Sequence, residues 1–454
     1  MAPSDAWKQQ PDGSWLQSYD GIENYFYAIS APEGHATPFM IGSRVKFSFD
    51  GGEKDIIPSL QRAWVEMRLK QPTLAAIVTE KGKLYKPADT SEIEGWLKSS
   101  FKVHTHGEDP ESYFEQFLQV PYMILHYFPS SMELLLQACH ILIDGIGVLY
   151  FWNEFFSTLE SSQQSTDHSQ FGSEYARLPP TLTEILSLPD ESPPSGQQRA
   201  TELVTKWAEK AYAKDAAGVP VRDATSAPAN HCFRREIKLS SGTTRAIIET
   251  CKKNGYTVTC AWQAAVILAM QQHKSLNGLD PKSATAAIPT NLRNHFPGTF
   301  DARRDFAAPY YITMLFQVDY DGDGSSFENL AKFNSSYFRT TLAPGSGDLE
   351  MLPAYIDMSV GGAKADAPPP SSAPVLSSMG LVDQYLGTKH GRWTVDDFWI
   401  ADTTTLPMCV VFLWTFNSQM VLSLSPNAAY MTKEMADGFL KQVQHILLDN
   451  LGLK

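Results

Sequence analysis

Two apolar, strand-like runs, YMILHYF (122–128) and MELLLQACHI (132–141), flank a short polar turn, and the apolar, aromatic-rich stretch IGVLYFWNEFFSTLE (146–160) follows almost at once. The first two read as a hairpin and the third as a buried helix. A hairpin that runs straight into a buried helix commits this part of the chain to a mixed α/β layer, because each element must cover the other's apolar face. The same alternation continues in both directions. Upstream lie a strand-like stretch at 40–49, a helix at 55–70 with Ile56, Leu60, Ala63 and Met67 at helical spacing, a strand-like LAAIV (74–78), and helical stretches at 90–99 and 110–118. Downstream come a helix near 200–214, a strand at 231–239, and helices at 240–253 and 257–273 for which Ser240 and Thr257 are caps. Strand-like runs recur at 284–290, 310–320, 408–416 and 419–425, before an amphipathic helix at 431–448.

A chain of 454 residues with 43% hydrophobic content is larger than one core usually supports, so two α/β domains are expected. The Gln, Ser, Pro and Thr-rich stretch at 161–200 marks the crossover, giving an N-terminal domain at 1–190 and a C-terminal domain at 191–454. The Pro and Ala-rich segment GGAKADAPPPSSAP (361–374) reads as a long loop bordering the active site. A net charge of -13 repels polyanions, and no basic run offsets it, so nucleic acid is not an expected partner. No stretch has the length of a membrane span and the N-terminus has no signal-peptide pattern, which predicts a cytosolic protein without a membrane partner. The five cysteines are widely spaced with no C-x-x-C pair, so they are expected to be reduced and buried.

The chemistry is carried by His140-Ile-Leu-Ile-Asp144-Gly145, between a strand and a helix. Acyl transfer to a hydroxyl or amine needs a base that accepts a proton near neutral pH, and imidazole suits that task. A carboxylate and a glycine just after it can fix the turn that presents the ring. Each residue also has a plainer reading: a buried strand-end histidine, a helix N-cap and a turn glycine. Cys139 adjoins His140, but neighbouring strand residues face opposite ways, so it reads as packing rather than as half of a nucleophilic pair. His104-Thr-His106 lacks a third ligand and reads as an exposed loop, so no metal is expected. Neither a G-x-S-x-G elbow nor a phosphate-binding G-x-x-x-x-G-K-[ST] loop occurs.

The H-x-x-x-D-G pattern resembles the signature of the condensation and chloramphenicol acetyltransferase-like superfamily, which includes the plant BAHD acyltransferases. The resemblance extends to an Arg-containing turn, IPTNLRNHFPG (288–298), a Ser-Ser-x-Gly turn, SSMG (377–380), and a closing pattern of strand, tight turn, strand and helix from 410 onward. The whole is most similar to the fungal trichothecene O-acetyltransferases. It implies a pseudo-dimer of two mixed-sheet domains with an active-site tunnel between them. It further implies His140 as general base, Asp144 turned away from substrate onto Arg293, and transfer without an acyl-enzyme. The plant D-F-G-W-G motif has no full counterpart; the nearest run is Asp397-Phe398-Trp399-Ile400-Ala401, without its glycines. Ser377, Ser378 and Trp399 are therefore the candidates for stabilising an oxyanion or lining the tunnel.

The resulting expectation is a monomeric, CoA-dependent O-acyltransferase, with acetyl-CoA as the expected donor and a hydroxyl of a small terpenoid or polyketide as acceptor. Two alternatives stay open: a condensation-type enzyme with a carrier-bound donor or an amine acceptor, and a non-acylating binding or cyclisation protein on the same fold.

Overall fold

The computed structural model describes residues 4–30, 39–161, 171–222, 231–321, 324, 326–343, 345–364 and 371–453. The chain forms two compact units, each a mixed α/β layer. Unit 1 comprises Met1–Ser187, Asn291–Tyr311 and Val382–Asp402, and unit 2 comprises Leu188–Thr290, Ile312–Leu381 and Thr403–Lys454. The sequence reading divides the chain once, near 190, whereas two later segments return to the first unit.

Unit 1 is organised by a six-stranded sheet in the order Lys389–His390, Trp393–Asp402, Met40–Phe49, Glu133–Cys139, Met123–Phe128, Phe101–Val103. The hairpin of Met123–Phe128 and Glu133–Cys139 lies toward one side, and every residue of both strands is buried. Their largely apolar sequence follows from this, because both faces of the strands are covered; His126, Glu133 and Gln137 are the buried polar exceptions. The helix Gly145–Ser161 docks through Trp152, whose indole N–H donates to Ser43 Oγ at 2.9 Å; Ser43 in turn donates to the Trp399 carbonyl at 3.1 Å. Ser43 thus ties the helix to two neighbouring strands. A four-stranded antiparallel sheet, Trp7–Gln9, Trp15–Gln17, Gly82–Tyr85 and Ile77–Thr79, completes the unit. The stretch read as a strand at 74–78 begins instead as a 3-10 turn, Pro72–Ala75, because Pro72 opens a helical turn and has no N–H for a ladder.

Unit 2 holds a second six-stranded sheet, in the order Tyr311–Asp319, Ser283–Asn291, Val375–Leu381, Val410–Phe416, Gln419–Ser425, Arg235–Lys238. Helices Val258–Leu276 and Lys433–Asn450 contribute to its core, in which Trp262, Ile267, Phe439 and Val443 are closed to solvent. Ser240 and Thr257 accept backbone N–H bonds from Thr243 and Cys260 and so cap their helices. The loop reading at 361–374 is corrected at its start. Residues 361–364 belong to the helix Asp348–Lys364, which tolerates Pro353 in its second turn, and 365–370 lie outside the described residues.

Candidate active site

His140 follows directly on the strand Glu133–Cys139, and its backbone N–H donates to the Phe39 carbonyl at 2.7 Å, extending the ladder by one residue. The chain then turns, with Leu142 N–H donating to Cys139 O at 2.9 Å, and enters the helix at Gly145. Asp144 is the cap of that helix: Oδ1 accepts from Gly147 N at 2.6 Å, and its carbonyl accepts from Val148 N at 2.9 Å. Gly145 opens the helix, and two residues on there is no room for a side chain at Gly147. A Cβ there would lie 2.5 Å from Phe306 O and 2.9 Å from Ile143 Cγ1.

The Asp144 carboxylate is saturated. Arg293 donates through Nη1 to Oδ2 at 2.8 Å and through Nη2 to Oδ1 at 3.0 Å, and the Tyr310 N–H adds a bond to Oδ2 at 2.7 Å. With Gly147 that makes four donors, which fills the roughly four lone-pair sites of a carboxylate. Asp144 therefore has no acceptor capacity left for His140 or a substrate. The pair is buried on both sides, and the Tyr310 ring lies 5.2 Å under the guanidinium carbon. The structure thus brings His140, Asp144, Gly145 and Arg293 into one loop region of unit 1.

Around the His140 ring lies an aromatic enclosure absent from the sequence reading. Phe26 stacks on it at 5.1 Å, Phe39 at 5.4 Å, and Tyr311 tilts against it at 5.8 Å. Phe26 sits on the helix Gly21–Ser30, which a fully buried ion pair holds in place: Lys83 Nζ reaches Glu23 Oε1 at 2.5 Å. Burial drives the Glu23 pKa upward and the Lys83 charge opposes it. The carboxylate of Asp402 also faces the site, with Oδ1 4.0 Å from His140 Nε2. Its carboxyl is pushed up to about 6, mainly by burial, against the opposing attraction of His140. No local pattern flagged Asp402; only the pairing of Trp393–Asp402 with Met40–Phe49 brings it here.

Burial pushes the Cys139 thiol up to about 12, so it stays protonated and is poorly suited to act as a nucleophile. Trp399 is enclosed in packing, edge-on to Phe114 at 5.8 Å with the Arg44 guanidinium 5.9 Å from its centroid. Ser377 and Ser378 lie in unit 2 on the strand Val375–Leu381, and the Ser378 hydroxyl shares a 2.9 Å hydrogen bond with Thr259. The exposed-loop reading of 104–106 applies to His106 but not to His104. His104 turns inward and donates through Nε2 to His126 Nδ1 at 3.0 Å, while buried His126 donates to Gln137 Oε1 at 3.0 Å. This orientation follows from Gln137, whose amide nitrogen donates to Leu118 O.

The arrangement is that of the two-domain, mixed-sheet chloramphenicol acetyltransferase-like class. A trichothecene 15-O-acetyltransferase, TRI3 from Fusarium sporotrichioides, superposes with a TM-score of 0.80 at 15% identity, covering 98% of this chain and 97% of that one. The chain belongs to the alcohol acetyltransferase family, whose model matches residues 132–441. Among relatives, the acetyltransferase pigO of Monascus ruber is 28% identical, over 89% of this chain and 88% of its own length. A second, from Epichloe uncinata, is 27% identical over 98% of this chain and 97% of its own; it is described as the loline biosynthesis cluster 1 transcription factor lolU1. The protein is accordingly an acyltransferase that moves an acyl group from acyl-CoA to an alcohol oxygen. No helix among the described residues is long and apolar enough to cross a membrane.

Proposed function

We propose that the enzyme transfers an acetyl group from acetyl-CoA to a hydroxyl of a small secondary metabolite of terpenoid or polyketide type, with His140 as general base. The observation that carries this reading is the His140 imidazole. It is held at a strand end in an aromatic enclosure, beside an Asp144 carboxylate whose bonds are all spent on the loop. In the reaction, the acceptor O–H gives its proton to His140 Nε2 and its oxygen bonds to the thioester carbonyl carbon. The C–S bond breaks, and the leaving thiolate takes the proton back from the imidazolium, leaving an ester and free CoA.

Asp144, Gly145 and Arg293 hold the loop and do not touch substrate. A high Cys139 pKa supports direct transfer over a cysteinyl intermediate. Ser377 and Ser378 lie in unit 2 and Trp399 is enclosed in packing, so none of the three is given a step in this reaction. The names borne by pigO and TRI3 support acetyl as the transferred group and, through TRI3, oxygen as the acceptor atom. The regulatory name of lolU1 gains no support from a chain of net charge -13. We place the reaction in the cytosol, in a monomer, where five buried free thiols would stay reduced.

Incubation of the purified protein with acetyl-CoA and a panel of hydroxylated terpenoids and polyketides, followed by mass spectrometry, tests the proposal. An acetyl ester with stoichiometric free CoA is expected. Acylation of amines only, or turnover only with a carrier-bound donor, would overturn it.

A further inference from the structure

The strand Trp393–Asp402 pairs with Met40–Phe49 so that Asp402 lies opposite Ile41, while Met40 lies opposite Cys139 on the next strand. The last residue of one strand thereby adjoins the first residue of the His140 turn. Asp402 Oδ1 and His140 Nε2 stand 4.0 Å apart, and both side chains are almost closed to solvent. That distance is too long for a direct hydrogen bond, yet an oxygen about 2.8 Å from each atom fits between them. On the other side of the ring, Nδ1 is buried and has no hydrogen-bond partner among the described residues. The faces of the ring are covered by Phe26, Phe39 and Tyr311, which bring π-electrons but no formal charge. Asp144, the other nearby carboxylate, is neutralised by Arg293.

We propose that Asp402 is the electrostatic partner of His140, its carboxylate stabilising the imidazolium that forms as Nε2 takes the acceptor's proton. This rests on the reading of His140 as base, and it makes Asp402 a positioning residue that acts through the ring. One proton moves, from the acceptor oxygen to Nε2 and later to the departing sulfur; Asp402 gains and loses none. One further feature favours the imidazolium, the stacked rings, through cation–π attraction; the water-poor setting strengthens the pull of the Asp402 charge itself. Among the described residues, the ionisable groups that act on one another here are His140, Asp402 and the buried Tyr311 phenol, whose own pKa is driven upward first by burial and then by Asp402, with Asp144 and Tyr25 adding to it. Asp402 loses its charge below about pH 6, and the support for the imidazolium is lost with it. The acid limb of activity in the native enzyme therefore belongs to the coupled pair.

The test is Asp402→Asn, nearly isosteric and uncharged, assayed for kcat and KM across pH 5–9, an about four-unit span that brackets the histidine range. Turnover at neutral pH should fall at least about tenfold with KM for acyl-CoA unchanged. The acid limb should move to lower pH by about one unit or more, since an opposite charge at this range shifts a pKa by about 1–3 units. NMR titration of His140 without substrate should move in the same direction. An unmoved limb overturns the proposal whether turnover holds or falls, because a residue that only shapes the loop would alter rate alone. If Asp402→Asn does not fold, Asp402→Ser read by the same NMR titration replaces it. His140→Ala, run alongside, separates the two layers. Substantial activity in that variant removes the base, whereas an inert His140→Ala with an unmoved Asp402→Asn limb refutes the role of Asp402 alone.

Discussion

Arg293 reaches both carboxylate oxygens of Asp144 through its two terminal nitrogens, at 2.8 and 3.0 Å, across 149 positions of sequence. Both partners are buried, so each compensates a charge that the other could not leave exposed to an apolar interior. The pair binds the returning segment Asn291–Tyr311 to the loop that carries His140.

Asp144→Asn should therefore be costly. The amide offers one acceptor oxygen where four donors converge, and Arg293 keeps an uncompensated charge. A loss of about 3–5 kcal/mol is expected, together with reduced turnover. A double-mutant cycle over Asp144 and Arg293, read by denaturant unfolding, should give a clear coupling energy; additive single effects would refute the pairing as a stabilising unit.

His140→Ala should lower turnover by about 10²–10⁴-fold while the protein stays folded. Ester formation measured by mass spectrometry, alongside circular dichroism, checks both halves of the statement. More than a tenth of native turnover would remove His140 from the role of base.

Gly147→Ala reverses the usual rule that alanine stabilises a helix. Its Cβ would press on Phe306 O at 2.5 Å, so a loss of about 1–3 kcal/mol is expected. Gly95→Ala is the control, because nothing lies within 4 Å of that position on the helix Thr90–Ser100; there a gain of about 0.5–1 kcal/mol is expected. Equal effects at the two sites would mean that the space around Gly147 is not closed.

Two buried groups pull the pH dependence of stability in opposite directions. The Asp402 pKa is raised from 3.8 to about 6, so its stabilising contribution is complete below pH 3.8 and is lost as pH rises through about 6. The His126 pKa is lowered from 6.5 to about 3, chiefly by burial, so its contribution is complete above pH 6.5 and is lost as pH falls toward 3. Asp402→Asn removes the first and leaves the second. The variant should melt higher than the native protein at pH 7.5, by at most about 3 kcal/mol in stability, and should lose stability more steeply on acidification. Melting curves at pH 5 and 7.5 decide it: a variant less stable than the native protein at pH 7.5 contradicts the buried-charge account.

The hairpin and the helix behind it are legible because each is a local pattern, apolar strands and an aromatic helix, and the histidine five residues before Gly145 stands out between them. Asp402 was not. Its strand, WTVDDFWIAD, carries three acidic side chains, which hides the strand from a hydrophobicity reading. The structure answers one of these charges across the sheet, where Arg44 donates to Asp397 at 2.9 Å. The helices Phe327–Thr340 and Asp348–Lys364 also went unread, the second because Pro353 and two glycines near its end resemble loop composition. His104 looked exposed for a similar reason: its partner His126 lies 22 positions away on a strand whose apolar neighbours dominate the pattern. For Asp402 and His104 the missing information is a long-range partner; for the helix Asp348–Lys364 it is local composition.

Because unit 1 gathers Met1–Ser187 with two stretches ending at Tyr311 and Asp402, a ribosome releases the His140 loop long before the residues that complete its surroundings. When residue 187 emerges, Asp144 still has no guanidinium and the sheet still lacks the strand that borders Met40–Phe49. The carboxylate stays unanswered until Arg293, about a hundred residues later, and the sheet edge stays unpaired until the strand ending at Asp402, about two hundred residues later, which at roughly 5–20 residues per second is a delay of tens of seconds. Synthesis from the N-terminus therefore cannot finish one lobe before starting the other, and a fragment cut near residue 190 would carry the His140 loop without the means to hold it.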